Sequence, residues 1–359
     1  MRPIRFTYLV LLTCILAIGC TPSPEDGSGK AKGAKAANVE GKTGTGDENT
    51  VDTPRLYFVT NGIANFWNIA AKGAMKAKED FDCDVEVKMP SAEGGRAANQ
   101  KRMLEQLISK GFDGIAVSPV NPENQTDILN ELGNHGHFIT HDSDAPDSNR
   151  QLYVGMSNYD AGRMCGELVK KAIPDGGNIV IFVGSIEQDN AKLRRQGVID
   201  EVFGRSHDPS RYDKPGGEIK EGKYNFLATR VDDFNDTRKK ELPEAALAKF
   251  EKIDCMVGLF EYNPPFIFDA LESAGKMGEI KVVGFDENAR TLEEIKNGNC
   301  EGTVVQNPFM YGYQSMKILA EMSRGDYKKG SEFIDIPARK IVKDNVEEFR
   351  KELESMIGE

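Results

Sequence analysis

Acids, amides, arginine and aromatic side chains recur in this chain at one kind of place, directly after short apolar runs. Asn61, Phe66 and Trp67, the only tryptophan, follow the run at 56–60, and Asp142, Ser143 and Asp144 follow 138–141. Residues 187–195, with Arg194 and Arg195, follow 179–183; Phe234 lies in the cluster Asp232-Asp-Phe-Asn-Asp236. Glu261, Tyr262 and Asn263, then Asp286 and Asn288, then Gln306 and Asn307, come after three further runs. An aromatic face is negative and suits C–H groups. A carboxylate accepts from two hydroxyls, a guanidinium donates in a fixed fork, and an amide does both. Such a set could hold a small hydroxylated ring. Singly, each residue has a plainer reading: Asp and Asn cap helices and turns, and Phe66 with Trp67 at a helix start reads as core. Seven such places in register favour a shared binding site.

Other chemistries fit less well. No G-x-G-x-x-G follows the first run, and Gly176-Gly177 precedes a run instead of following one. Gly41-Lys42-Thr43 lacks the glycine of a phosphate loop, having Ala36 in its place, and has no strand before it. His135 and His137 flank a glycine at an expected helix-to-strand turn near His141 and read as solvated turn residues rather than zinc ligands. Asp142 and Asp144 could form a carboxylate pair or metal clamp, but hydroxyl binding and a helix cap explain them more simply. We expect no enzyme, no cofactor and no metal. The net charge of −11 and pI near 5.1 also argue against a nucleic-acid surface.

The elements that position these residues follow from periodicity. Residues 56–74 read as strand, loop and helix, with Phe66, Ile69, Ala70, Gly73 and Ala74 on one helical face. Strands are expected at 84–89, 114–118, 138–141 and 152–155. Helices are expected around Met103, Leu104, Leu107 and Ile108, at 124–132 and at 160–172. A second set of strands is expected at 179–183, 224–229, 256–260, 281–285 and 302–305. A closing amphipathic helix carries Val346, Phe349, Leu353 and Ile357. Strands alternating with helices mean α/β architecture, and two consecutive sets mean two doubly wound lobes with parallel sheets. Parallel sheets offer the carboxyl ends of their strands to ligands, which is where the chemistry-bearing residues fall.

The first twenty residues are expected to be an export signal. Arg2 and Arg5 precede a 13-residue apolar run that is too short to span a bilayer, and the segment ends Leu16-Ala-Ile-Gly-Cys20. That ending resembles a bacterial lipobox, which implies acylation of Cys20 and a membrane anchor on the periplasmic face. Residues 21–53 are rich in Gly, Lys, Ala, Ser, Thr and acid and read as a flexible tether. Export permits disulfides among Cys83, Cys165, Cys255 and Cys300; three pairings are open, and free buried thiols fit as well.

From residue 55 to about 343 the sequence resembles the ribose and galactose type of periplasmic binding protein, the sugar receptors of ABC importers. The resemblance rests on Phe66-Trp67, Ile139-Thr-His-Asp142, Tyr153-Val-Gly155 with Asn158-Tyr-Asp-Ala-Gly162, Val282-Val-Gly-Phe-Asp286 and Gln306-Asn-Pro308. It implies that Phe66 and Trp67 stack on a sugar ring, with Phe234 near a further stacking position, and that Asp142, Asp286 and Gln306 hold hydroxyls. The family's arginine matches Arg194, a shift of one giving Arg195 instead. Asn61, Asp144, Tyr262 and Asn263 complete the expected ligand-binding set. Departures at Ala64-Asn65, at Ser143 and at Phe260-Glu-Tyr-Asn263 leave ribose itself open and imply a monosaccharide or related polyol. The resemblance further implies a three-crossing hinge near Ser157, Asn307 and Arg339. The expected lobes are 54–156 plus 308–335, and 157–307 plus 336–359. Expected partners are a permease with its ATPase, the protein itself being a monomer. A receptor signalling to a membrane sensor is the alternative, and a sugar-responsive repressor a weaker one, since residues 1–53 hold no DNA-binding module.

Overall fold

The computed structural model describes residues 53–357, so the expected signal, Cys20 and nearly all of the tether lie outside the described residues. The described chain opens with β1 (Arg55–Val59), α1 (Asn65–Asp80), β2 (Asp84–Lys88), α2 (Arg96–Lys110), β3 (Gly114–Val117), α3 (Pro122–His135), β4 (His137–His141) and β5 (Tyr153–Gly155). It continues through α4 (Asn158–Ala172), β6 (Gly177–Val183), α5 (Asp189–Phe203), β7 (Ile219–Glu221), β8 (Tyr224–Val231), α6 (Asp236–Lys249) and β9 (Cys255–Gly258). The remainder is α7 (Asn263–Ser273), β10 (Lys281–Phe285), α8 (Ala289–Asn297), β11 (Gly302–Val305), α9 (Pro308–Arg324), β12 (Phe333–Asp335), β13 (Arg339–Ile341) and α10 (Val346–Ile357).

Two sheets result, one per lobe. The first has the order β12-β5-β4-β3-β1-β2, all parallel; the second runs β13-β11-β10-β9-β6-β8-β7. Central strands such as Gly114-Ile-Ala-Val117 and Gly302-Thr-Val-Val305 are buried at every position, as strands covered on both faces by helices must be. The expected parallel sheets need one correction: β7 and β13 are antiparallel edges of the second sheet. Neither they nor β12 shows in the sequence as a strand. Each is three residues long and partly polar, so no alternation can develop.

The chain passes from the first sheet to the second between β5 and α4, back between β11 and α9, and across again between β12 and β13. Two of these passages begin helices with strong caps. Ser157 Oγ accepts from the Asp160 N–H, and Asn307 Oδ1 accepts from the Met310 N–H ahead of Pro308. Each lobe also has a helix pair that crosses on glycine. A Cβ on Gly73 of α1 would lie 1.9 Å from the Phe309 carbonyl oxygen of α9, and one on Gly162 of α4 would lie 2.1 Å from the Arg194 carbonyl oxygen of α5. Cys83, Cys165, Cys255 and Cys300 are all free and buried.

Candidate functional site

The carboxyl ends of the strands from both sheets meet over a cleft of about 90 Å³, room for roughly half a dozen waters or one small ring. Phe66 and Trp67 form its first-lobe wall. They stand at the start of α1, edge to face with centroids 4.8 Å apart, and the Trp67 indole N–H donates to Asn61 Oδ1 at 3.2 Å. Both belong to the first lobe's core, as the plainer reading of a helix-start aromatic pair expects, and both also line the cleft.

Two aspartates occupy matching places in the two lobes. Asp142 follows β4 and Asp286 follows β10, each left-handed, with φ 58° and 64°. Their backbone N–H groups donate to the Val154 and Val304 carbonyls at 3.1 and 2.8 Å. Their own carbonyls accept from the Tyr153 and Thr303 hydroxyls, each at 2.8 Å. Such conformations persist only where the surroundings over-determine them, and here a neighbouring strand clamps both sides of the residue. The Asp142 carboxylate accepts from Ser118 Oγ at 3.0 Å and from Asn61 Nδ2 at 3.4 Å; Asp286 accepts from Gln306 Nε2 at 2.7 Å. Burial pushes Asp142 up to about 6, opposed by Arg194 and the Ser118 hydrogen bond. Burial also raises Asp286, again against Arg194.

Arg194 lies between them, 2% exposed, with its guanidinium 4.1 Å from the Phe285 ring centroid. Nε donates to Asn158 Oδ1 at 2.8 Å and Nη1 to the Leu259 carbonyl at 3.3 Å. Nη2 is 3.8 Å from Asp142 Oδ1 and has no hydrogen-bond partner. The adjacent Arg195 points elsewhere, to Thr229 Oγ1 and the Asp213 carbonyl, so of the two arginines Arg194 faces the cleft. Phe234, Tyr262 and Gln306 complete the set of expected residues that line it.

Two expected residues do not face the cleft. Asp144 is held by Arg150, whose Nη2 donates to Oδ2 at 2.7 Å, and by Thr140 and the Ala145 N–H, which turn it away into an ion pair. Asn263 is a support. Its Nδ2 donates to Asp232 at 3.3 Å, and its Oδ1 accepts from the Phe260 N–H at 3.0 Å. Asp232 also accepts from the Tyr262 hydroxyl and the Phe234 N–H, which fixes both cleft aromatics. The histidines stay apart: His135 pairs with Glu131, His137 with Gln151, and His141 is buried against Phe58.

Arg96, Asn190, Lys239, Phe260 and Glu261 also line the cleft and were not in the expected set. Arg96 opens α2, after the edge strand β2, and no acid, amide or aromatic cluster directly after that strand marks it in the sequence. Among the described residues, three cleft-lining side chains keep a buried polar atom without a hydrogen-bond partner: Arg194 Nη2, Arg96 Nε and Asn190 Oδ1. Unmet donors and acceptors around one cavity fit a polar guest.

The family model described as periplasmic binding protein domain matches residues 56–326. The D-xylose-binding periplasmic protein of Escherichia coli is 23% identical over 253 residues, 68% of this chain and 72% of its own. A solute-binding protein of an ABC transporter from Burkholderia graminis, solved in complex with D-arabinose, superposes with TM-score 0.72 at 23% identity, covering 81% of this chain and 95% of that one. Another from Bacillus halodurans, with bound myo-inositol, gives 0.71 at 22% identity over 86% and 99%. At such identities the structures speak for the shared fold, and the family match spans most of the described residues. The chain therefore belongs to the periplasmic binding protein family.

Proposed function

We propose that this chain is the substrate receptor of an ABC-type importer and takes a monosaccharide or related polyol between its lobes. The observation that carries the reading is the convergence of Phe66, Trp67 and Asp142 from the first lobe with Arg194, Asp286 and Gln306 from the second on one small cleft. The rings take the C–H face of the guest, and the carboxylates, guanidinium and amide take its hydroxyls. The cleft carries three cations, Arg96, Arg194 and Lys239, and three acids, Asp142, Glu261 and Asp286, so donors and acceptors of both kinds are on hand for hydroxyls. A guest touching both lobes stabilises the closed arrangement by its differential affinity, and that arrangement is what a permease would read. The lobes are 54–156 with 308–335, and 157–307 with 336–359, and they swing about the three crossings. The chain is exported, is tethered at the periplasmic face through Cys20, and binds its guest without transforming it. Relatives named for D-xylose, or solved with D-arabinose or myo-inositol, support the ligand class.

Calorimetry against D-xylose, D-arabinose, D-ribose, D-allose and myo-inositol, with mass spectrometry of any co-purifying molecule, tests this. At least one compound should bind at about micromolar Kd or tighter, with a change in Trp67 emission. Asp286→Ala should weaken it by roughly 1.5–3 kcal/mol. No heat with any sugar or polyol and no co-purifying molecule would end the reading.

A further inference from the structure

Arg96 belongs to the first lobe, yet its guanidinium carbon sits 4.1 Å from the ring centroid of Phe234 in the second. It begins α2 immediately after an exposed segment, 91–95, in which Gly94 and Gly95 both have positive φ, 71° and 103°. On its other side the guanidinium packs on the loop after β1. A Cβ on Gly62 would come 2.9 Å from Arg96 Nη1 and 3.0 Å from Cζ, so the guanidinium lies directly against the Gly62 backbone. Phe234 is backed closely from behind. The residue is left-handed at φ 59°, its N–H is held by Asp232 at 2.7 Å, and a Cβ on Gly184 would meet the ring at 2.6 Å. Arg96 Nε, lining the cleft, is buried with no hydrogen-bond partner.

We infer that Arg96 is the specificity-determining clasp of the cleft: it shuts the first lobe onto Phe234, occupies the face of that ring, and limits the guest to a single ring. The inference rests on the binding reading above and refines it. With guanidinium on Phe234, the platform for a stacked ring is Phe66 and Trp67, and Phe234 walls off the end of the site. A guest that fits carries an oxygen to which Nε donates. A glycoside extended toward Phe234 meets the guanidinium. Lysine is a poorer substitute, because it has neither the flat guanidinium that stacks on the ring nor an Nε–H to donate from that position. Burial lowers the Arg96 pKa, with Tyr262, Asp232 and Asp236 opposing; the guanidinium remains charged.

The test uses the full chain with Arg96→Ala and Arg96→Lys, titrated with D-xylose, D-ribose, myo-inositol, methyl β-D-xyloside and xylobiose. Both variants should bind the best single-ring probe more weakly, on the order of tenfold for Arg96→Ala, and Arg96→Ala should gain binding of the methyl glycoside or disaccharide. Unchanged affinity and unchanged size range in Arg96→Ala would overturn the inference. Spin labels at Lys101→Cys on α2 and Glu241→Cys on α6, both exposed, give a readout that needs no probe. Removing the stack should broaden the interlobe distance distribution before anything is added, and an identical distribution with and without Arg96 would sink the clasp. A parent protein that binds none of the probes would count against the proposed function, while the distance measurement still decides the clasp.

Discussion

Asp142 shows what one residue in this cleft contributes and costs. Its carboxylate is almost cut off from water, and burial raises its pKa to about 6 despite Arg194 and Ser118. A carboxyl group with a raised folded-state pKa favours folding fully below the unfolded value and loses that contribution as pH climbs through the folded value. The window therefore runs from about pH 4 to 6 for this group. Asp142→Asn keeps the shape and tolerates the left-handed backbone. It should make the protein more stable than the parent at pH 8, and that advantage should shrink by up to about 3 kcal/mol at pH 4; thermal unfolding of both proteins across that range measures it. A parallel pair of curves would mean that Asp142 is not held near neutrality. Hydroxyls donating to the ionised form act in the opposite sense, so the guest should bind more weakly as pH falls through 6. The sequence marks Asp142 and Asp286 as strand-end acids, but it does not separate them from Asp144, which Arg150, Thr140 and the Ala145 N–H hold away from the cleft.

Among the elements, the helix pairs decide where the site residues stand. Arg194 is delivered by α5, and α5 is packed so closely on α4 that the carbonyl of Arg194 itself fills the space beside Gly162. Gly162→Ala should therefore act twice: it should destabilise the fold by about 1–3 kcal/mol through overpacking, and it should weaken guest binding by pushing Arg194 off its station over Phe285. Gly217→Ala, where no atom lies within 4 Å of the added carbon, is the control and should change neither. Denaturant titration and calorimetry on the two variants separate the effects. Binding by Gly162→Ala that matches the parent would show that Arg194 is positioned by its hydrogen bonds to Asn158 and Leu259 alone.

At the scale of the whole molecule, the lobes touch beside the cleft as well as across it. Asn121 Nδ2 of the first lobe donates to Glu187 Oε2 of the second at 2.8 Å, and Lys192 Nζ of α5 pairs with Glu123 Oε1 of α3 at 2.6 Å. An exposed pair of this kind contributes about 0.2–1 kcal/mol and is screened by salt. Lys192→Glu should thus reduce guest affinity by roughly two- to fivefold at low ionic strength, with the difference from the parent vanishing near 1 M salt, where the Debye length is about 3 Å. An effect that persists at high salt would mean that the substitution damages the fold instead of the closing equilibrium.

Alternating strands and helices, two consecutive sets of them, and polar or aromatic residues placed after the strands are local patterns, and the sequence alone determined them. It also pointed to Phe66, Trp67, Asp142, Asp286 and Gln306, because strand ends in a parallel sheet converge whatever the loops do. The choice between Arg194 and Arg195 needed the packing of α5, since adjacent helical residues point about 100° apart and one residue of register decides which faces the cleft. Asp144 and Asn263 were lost to neighbours, Arg150 and Asp232, that are unremarkable in the string of letters. Arg96 was invisible for the opposite reason. Its partner Phe234 lies 138 residues away in the other lobe, and only the docking of two separately folded sheets brings a cation from one onto a ring of the other.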